Sequence, residues 1–118
     1  MEPREYLQSV FSLEGKTILV TGAGGGIGLA ISEGLACAGA EVALCNRTVS
    51  KCQPLADRIN HDGGRASVHH LDITDLHSIQ SCVDEVVETY GKIDVLFNVA
   101  GINKREGLLD VEEATYDR

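Results

Sequence analysis

An α/β fold with a parallel sheet is predicted by three observations. Four short, β-branched apolar runs alternate with three segments of helical periodicity, a glycine cluster follows the first run, and every apolar run is far too short to span a bilayer. Residues 16–21 (Lys-Thr-Ile-Leu-Val-Thr) read as a strand buried on both faces. Ile27, Ile31, Leu35 and Ala38 follow at steps of four, four and three, predicting a helix over 27–38 that lays this stripe on the sheet and stops at Gly39. Residues 41–45 (Glu-Val-Ala-Leu-Cys) form the second strand. Cys52, Leu55, Ala56 and Ile59 then repeat the helical spacing until Asp62, Gly63 and Gly64 interrupt it. Residues 66–71 form the third strand, residues 75–90 a helix with Ile79, Val83, Val86, Val87 and Tyr90 on one face and Gly91 at its end, and residues 93–97 the fourth strand.

The order is β-α-β-α-β-α-β. Right-handed crossovers put the first two of these helices on one face of the sheet and the third on the other, because the chain reverses direction between the third and fourth strands. Residues 1–15 form an arm before a domain spanning 16–118, and residues 108–118 read as a loop entering a new helix at Val111 or Glu112.

Eighteen acids against ten bases among 118 residues leave a formal charge of −8, and no cluster of Lys and Arg is present. Nucleic acid and anionic membranes are thereby excluded as expected partners, since both demand concentrated positive charge. Glu2, Arg4, Glu5 and Glu14 break up the first fifteen residues, which fit neither a secretory signal nor an acid-poor transit peptide, so a cytoplasmic location is expected. Cys37, Cys45, Cys52 and Cys82 form no C-x-x-C pair and sit in apolar segments, as reduced thiols acting as small hydrophobes would. His69 and His70 precede Asp72, but neighbours on a strand point to opposite faces and cannot share one metal ion.

The chemistry concentrates where the first strand meets the first of these helices. Thr21-Gly22-Ala23-Gly24-Gly25-Gly26-Ile27-Gly28 brings backbone N–H groups and a helix N-terminus to one point, which attracts an anion. Ile27 stands where G-x-G-x-x-G requires its third glycine, so the spacing is G-x-x-x-G-x-G at Gly22, Gly26 and Gly28. Gly22 permits the sharp turn, Gly26 lets a pyrophosphate touch the backbone, and Gly28 lets the helix pack closely. With no Lys-Ser or Lys-Thr following, a P-loop fails. In the first β-α turn of an alternating chain this loop predicts a Rossmann-type, doubly wound dinucleotide-binding sheet, with Gly22, Gly24, Gly26, Ile27 and Gly28 as candidate cofactor residues.

The ribose-reading position belongs at the carboxyl end of the second strand. Glu41 is acidic but begins that strand, at the wrong edge, whereas Asn46 and Arg47 lie at the right one. A guanidinium without a carboxylate favours a 2′-phosphate, hence NADP, with NAD as the alternative.

At this point the chain from about Leu13 to Arg118 resembles the short-chain dehydrogenase/reductase family. Its cofactor loop is similar to residues 21–28, its adenine-contacting Asp motif to Leu71-Asp72-Ile73-Thr74, and its Asn-Asn-Ala-Gly turn to Asn98-Val99-Ala100-Gly101. The resemblance implies that Asp72 accepts from the adenine amino group, that Ile73 packs on the ring, and that Asn98, Ala100 and Gly101 border the nicotinamide ribose. Val99 departs from the usual second Asn. Phe11 to Lys16, Gly101 to Arg105 and Tyr116 to Arg118 look similar to the gluconate 5-dehydrogenase branch of sugar-acid reductases.

The family's catalytic Ser and Tyr-x-x-x-Lys have no match here. Tyr90-Gly91-Lys92 has one residue between its Tyr and Lys, and no Lys stands four residues after Tyr6 or Tyr116. The chain is therefore expected to be the amino-terminal, cofactor-binding half of an oxidoreductase moving hydride between NADP(H) and a carbonyl or hydroxyl of a small polar substrate, the full-length form a homo-oligomer. The other reading is a non-catalytic nucleotide-binding module or an inactive truncated fragment.

Overall fold

A computed structural model describes residues 1–99. Helix α1 (Pro3–Phe11) leads into strand β1 (Thr17–Thr21), helix α2 (Gly26–Cys37), strand β2 (Glu41–Asn46), a 3-10 turn (Val49–Lys51), helix α3 (Gln53–His61), strand β3 (Arg65–His70), helix α4 (Leu76–Tyr90) and strand β4 (Val95–Asn98). The expected helix after Leu108 lies outside the described residues.

The strands pair in parallel in the order β3-β2-β1-β4, with Ile18 opposite both Val42 and Val95. All five residues of β1 are buried, as its apolar, β-branched run predicts for a strand covered on both faces. Successive side chains alternate between two cores. Ile18, Val20, Val42 and Leu44 meet Leu55, Ala56 and Ile59 of α3 and the partly buried Leu29 and Leu35 of α2. Leu19, Ala43 and Cys45 face the other way, against Cys82 and Val86 of α4. The expected division of the helices therefore holds. The reversal after β3 carries the chain to the far side of β1 and α4 to the opposite face.

Two helix faces and the start of β4 depart furthest from the sequence expectation. The stripe of α2 is rotated. Gly28 and Ser32 are its buried residues, while Ile27 is 72% exposed. Gly28 has to face the preceding turn, and Ser32 tolerates burial because its Oγ donates to Gly28 O at 2.7 Å. In α4 the buried face is Ser78, Cys82 and Val86, with Val87 exposed. Strand β4 begins at Val95 because Ile93 packs into the core under α4 and Asp94 fastens the strand's start, its carboxylate accepting from Thr17 N at 2.8 Å and its N–H donating to Thr17 O at 2.9 Å. Lys92, 2.9 Å away, and the Thr17 N–H hold the Asp94 carboxyl below its usual range.

The arm contains a helix that was not anticipated. Tyr6, Leu7, Val10 and Phe11 share one side of α1 and are all exposed, and the arm joins the domain through Leu13 N donating to Ala38 O at 2.8 Å. Of the four cysteines, Cys37 is exposed, contrary to expectation, and the other three are buried.

His69 turns inward and His70 outward, as alternation requires. The buried His69 carries its own partners. Nδ1 donates to Glu85 Oε1 at 2.8 Å, Nε2 lies 2.6 Å from Ser67 Oγ, and that hydroxyl lies 2.7 Å from the Tyr90 hydroxyl. Burial raises the Tyr90 pKa, and the Arg65 guanidinium stands 5.0 Å from the centre of its ring. No buried side-chain N or O atom among the described residues lacks a partner.

Leu44→Ala, which empties a fully buried site on β2, is expected to destabilise the protein by about 2–5 kcal/mol. Ile27→Ala should change stability by no more than about 0.5 kcal/mol, since the side chain it shortens faces solvent. Urea unfolding followed by circular dichroism checks the pair, and equal losses would contradict the rotated face of α2.

Candidate functional site at the carboxyl ends of the strands

All four strands are parallel, so their carboxyl ends, Thr21, Asn46, His70 and Asn98, lie along one edge. The order reverses between β1 and β4, and the crevice outside such a reversal is where open α/β sheets bind ligands.

The glycine turn occupies that edge. Gly22 has φ +66°, the left-handed conformation expected of the sharp turn. Ala23 N–H donates to Cys45 O at 3.1 Å, tying the turn to β2. A Cβ on Gly28 would lie 2.3 Å from Gly22 O and 2.8 Å from Ala23 Cα, so the residue is bare because the helix start is pressed against the turn. This refines the expectation of close helix–sheet packing. The near surface is the turn. Gly26 has negative φ, and nothing lies within 4 Å of where its Cβ would be. Gly25 precedes helix α2 and offers no side-chain cap, which leaves backbone donors facing that open space. Open space beside uncapped backbone donors has the chemistry to receive an anion such as a pyrophosphate.

Gly24 is bare for a different reason. Its Cβ would fall 2.4 Å from Asn46 Nδ2 and 2.9 Å from Lys51 Cβ. The Asn46 amide donates to Thr48 O at 3.0 Å and folds the connection after β2 against the turn. Arg47 is exposed beside it. Lys51 was not marked by its sequence context, because only the return of the connection onto Gly24 brings it here.

Asp72 follows β3 at the same edge. Its Oδ1 accepts from Thr74 Oγ1 at 2.6 Å and Thr74 N at 3.0 Å, and these bonds, with a smaller contribution from the Arg47 charge, hold its carboxyl below the usual range. It does not cap α4. Asp75 does, accepting from His77 N at 2.9 Å. Ile73 is partly buried against the core beneath α4. Asn98 Oδ1 accepts from Thr21 Oγ1 at 2.7 Å, joining the ends of β4 and β1. Ala100 and Gly101 lie outside the described residues. The edge thus gathers Gly22, Gly24, Gly26, Ile27, Gly28, Asn46, Arg47, Asp72, Ile73 and Asn98.

A cleft of about 510 Å³ opens at the opposite edge of the sheet, but its two cations are already paired, Arg58 with Glu33 at 2.9 Å and Arg65 with Glu41 at 2.8 Å. Among the described residues no group of three or more His, Cys, Asp or Glu is placed to hold a metal ion, and no helix is long and apolar enough to cross a membrane.

Comparison with known proteins matches residues 16–118 to the model of the short chain dehydrogenase family. The chain belongs to that family. Similar short-chain dehydrogenase/reductase proteins include the gluconate 5-dehydrogenase of Gluconobacter oxydans, 37% identical over 92% of this chain and 42% of the relative. The 5-keto-D-gluconate 5-reductase of Escherichia coli K12 is 31% identical over 94% of this chain and 44% of the relative. A solved dehydrogenase/reductase from Sinorhizobium meliloti 1021 superposes with a TM-score of 0.83 at 37% identity, covering 96% of this chain and 45% of that one. The chain therefore spans less than half the length of these relatives, over the amino-terminal half of the short-chain dehydrogenase/reductase fold.

Thr74→Val removes a hydroxyl donor, so Asp72 should titrate nearer the ordinary carboxylate range, as read from its carboxyl carbon by NMR. A lowered folded-state pKa stabilises the protein fully above the unfolded Asp range, about pH 4, and that contribution is lost as pH falls through the folded value. The variant's stability deficit should accordingly be present at neutral pH and vanish in acid.

Proposed function

We propose that this chain is the cofactor-binding part of an oxidoreductase that moves hydride between NADP(H) and a carbonyl or hydroxyl carbon of a small polar substrate, a sugar acid such as gluconate. The observation that carries the reading is the meeting, at one sheet edge, of an uncapped helix start over open space at Gly26 and an exposed Arg47 at the end of β2. The substrate class is supported by the names of the two sugar-acid relatives.

In this reading the turn's glycines and the start of α2 receive the pyrophosphate, with Gly22 shaping the turn and Gly24, Ile27 and Gly28 completing its wall. Arg47 pairs with the 2′-phosphate, and Asn46 at the same strand end offers no carboxylate to repel it. Asp72, kept ionised by Thr74, accepts from the adenine amino group, with Ile73 beneath the ring. Asn98, held by Thr21, borders the nicotinamide ribose together with Ala100 and Gly101. The cofactor supplies the hydride, and this chain's residues bind and orient it. No catalytic residue is assigned within residues 1–118. We further place the whole protein in the cytoplasm as a homo-oligomer, with NAD as the alternative cofactor.

Arg47→Ala should weaken NADPH binding by about 1–3 kcal/mol, the range for hydrogen bonds to a charged group, and leave NADH binding nearly unchanged. Fluorescence titration of both nucleotides tests this, and tighter NADH binding by the unmutated protein would overturn the NADP assignment.

Gly26→Val should abolish binding of both nucleotides while the circular dichroism spectrum and unfolding midpoint stay close to the parent's. Its side chain has room in the folded chain but fills the space reserved for the pyrophosphate. Unchanged affinity in the folded variant would show that the glycine turn is purely structural.

A further inference from the structure

We propose that Cys45 and Cys82 form an oxidative modification site, in which a hydroperoxide converts the buried thiol pair to a disulfide that staples α4 to β2. The inference stands apart from the cofactor reading and concerns the opposite core from the one under α3.

The two sulfurs lie 3.5 Å apart although the residues are 37 positions apart in the chain. Both are buried between the sheet and α4, among Leu19, Ala43, Leu71 and Val86. These neighbouring side chains are apolar and unreactive, so the reaction partner of each sulfur is the other. The remaining cysteines lack that arrangement. Cys52 is buried across the sheet in the core under α3, and Cys37 is exposed at the end of α2. The pair also lies beneath the glycine turn, since the Cys45 carbonyl is the acceptor that fixes Ala23 N–H.

Pairing separates the two thiols chemically. It drives Cys45, already penalised by burial, far above its ordinary range and holds Cys82 below its own. Cys82 is therefore the sulfur that attacks, because the thiolate is the nucleophile. Hydrogen peroxide, little larger than water, reaches it through local opening of α4. The Cys82 sulfur takes one peroxide oxygen as the O–O bond breaks, leaving a sulfenic acid, and the other oxygen departs with the Cys82 proton as water. On closing, the Cys45 sulfur attacks that of Cys82. The S–S bond forms, the S–O bond breaks, and the hydroxyl leaves with the Cys45 proton as a second water. Two thiols and one peroxide thus yield one disulfide and two waters. The sulfurs must close to about 2.05 Å. Strand β2 is hydrogen-bonded on both sides, to β1 and β3, whereas α4 rests on the sheet through side chains, so α4 is the element that moves.

The test treats the full chain carrying Cys37→Ser, which removes the exposed thiol, with hydrogen peroxide and then alkylates it after unfolding. Peptide mapping by mass spectrometry should show Cys45 and Cys82 protected together in one cross-linked species lacking two hydrogens. Cys52 should stay alkylatable, and dithiothreitol should restore both protected thiols. Adding Cys45→Ala should end the cross-link and let dimedone capture the sulfenic acid on Cys82. Cys45 and Cys82 that both remain alkylatable after peroxide, that oxidise separately without a cross-link, or that link to Cys52 instead would overturn the proposal. Absence of a dimedone adduct on Cys82 in the folded Cys45→Ala chain would overturn it as well.

Discussion

The site edge depends on the contact between the start of α2 and the turn before it. Gly28 sits so close to Gly22 O and Ala23 Cα that any side chain there would drive the helix away from β1. The hydrogen bond from Ala23 to Cys45 O fixes the same turn to β2. Because the turn is held on both sides, the helix is aimed, and its first backbone donors face the open space at Gly26 instead of the sheet. The same constraint rotates α2 about its axis, burying Ser32 and exposing Ile27. An apolar side chain is thereby left beside the polar cradle, where it can wall a ligand, and the hydroxyl below it is satisfied within its own helix.

The sheet's order then decides what stands around the cradle. With β1 between β2 and β4, the turn after β1 is flanked by Asn46 and Arg47 on one side and Asn98 on the other. Asp72 lies one strand farther out, after β3. Each of these polar groups is either exposed or already given a partner, Asn46 by Thr48 O, Asp72 by Thr74 and Asn98 by Thr21. Preset side chains lose little further freedom when a ligand arrives, which is the advantage of a preorganised site.

The face under α4 follows a different principle. Cys45 and Cys82 meet there with their sulfurs 3.5 Å apart. Its pairing with the Cys82 sulfur and its burial drive the Cys45 thiol far above its ordinary range, so it stays neutral. Nearby, Ser67, His69, Glu85 and Tyr90 close a polar chain across β3 and α4. A buried imidazole without such partners would be costly. Closed in this way, it fixes how α4 lies on the sheet, as a satisfied polar cluster specifies geometry more narrowly than apolar contact does.

The amino-acid order by itself determined the alternation of strands and helices, the two-sided burial of β1, the sides taken by α2, α3 and α4, and the sharp glycine turn that leads into α2. Each follows from periodicity or from backbone freedom, which are local properties. The edge location of Arg47 was also legible, since a residue at the end of the second parallel strand has one place to go. Tertiary structure alone decided the face of α2, because Gly28 is drawn to the turn by a contact that outweighs the apolar stripe of Ile27 and Ile31. It decided the start of β4, where Asp94 binds Thr17 from 77 residues away. It also revealed why Gly24 is bare, as the neighbours that exclude its side chain, Asn46 and Lys51, arrive only when the connection after β2 folds back. Contacts between segments distant in sequence leave no period to read, and so these features had to be seen in the folded chain.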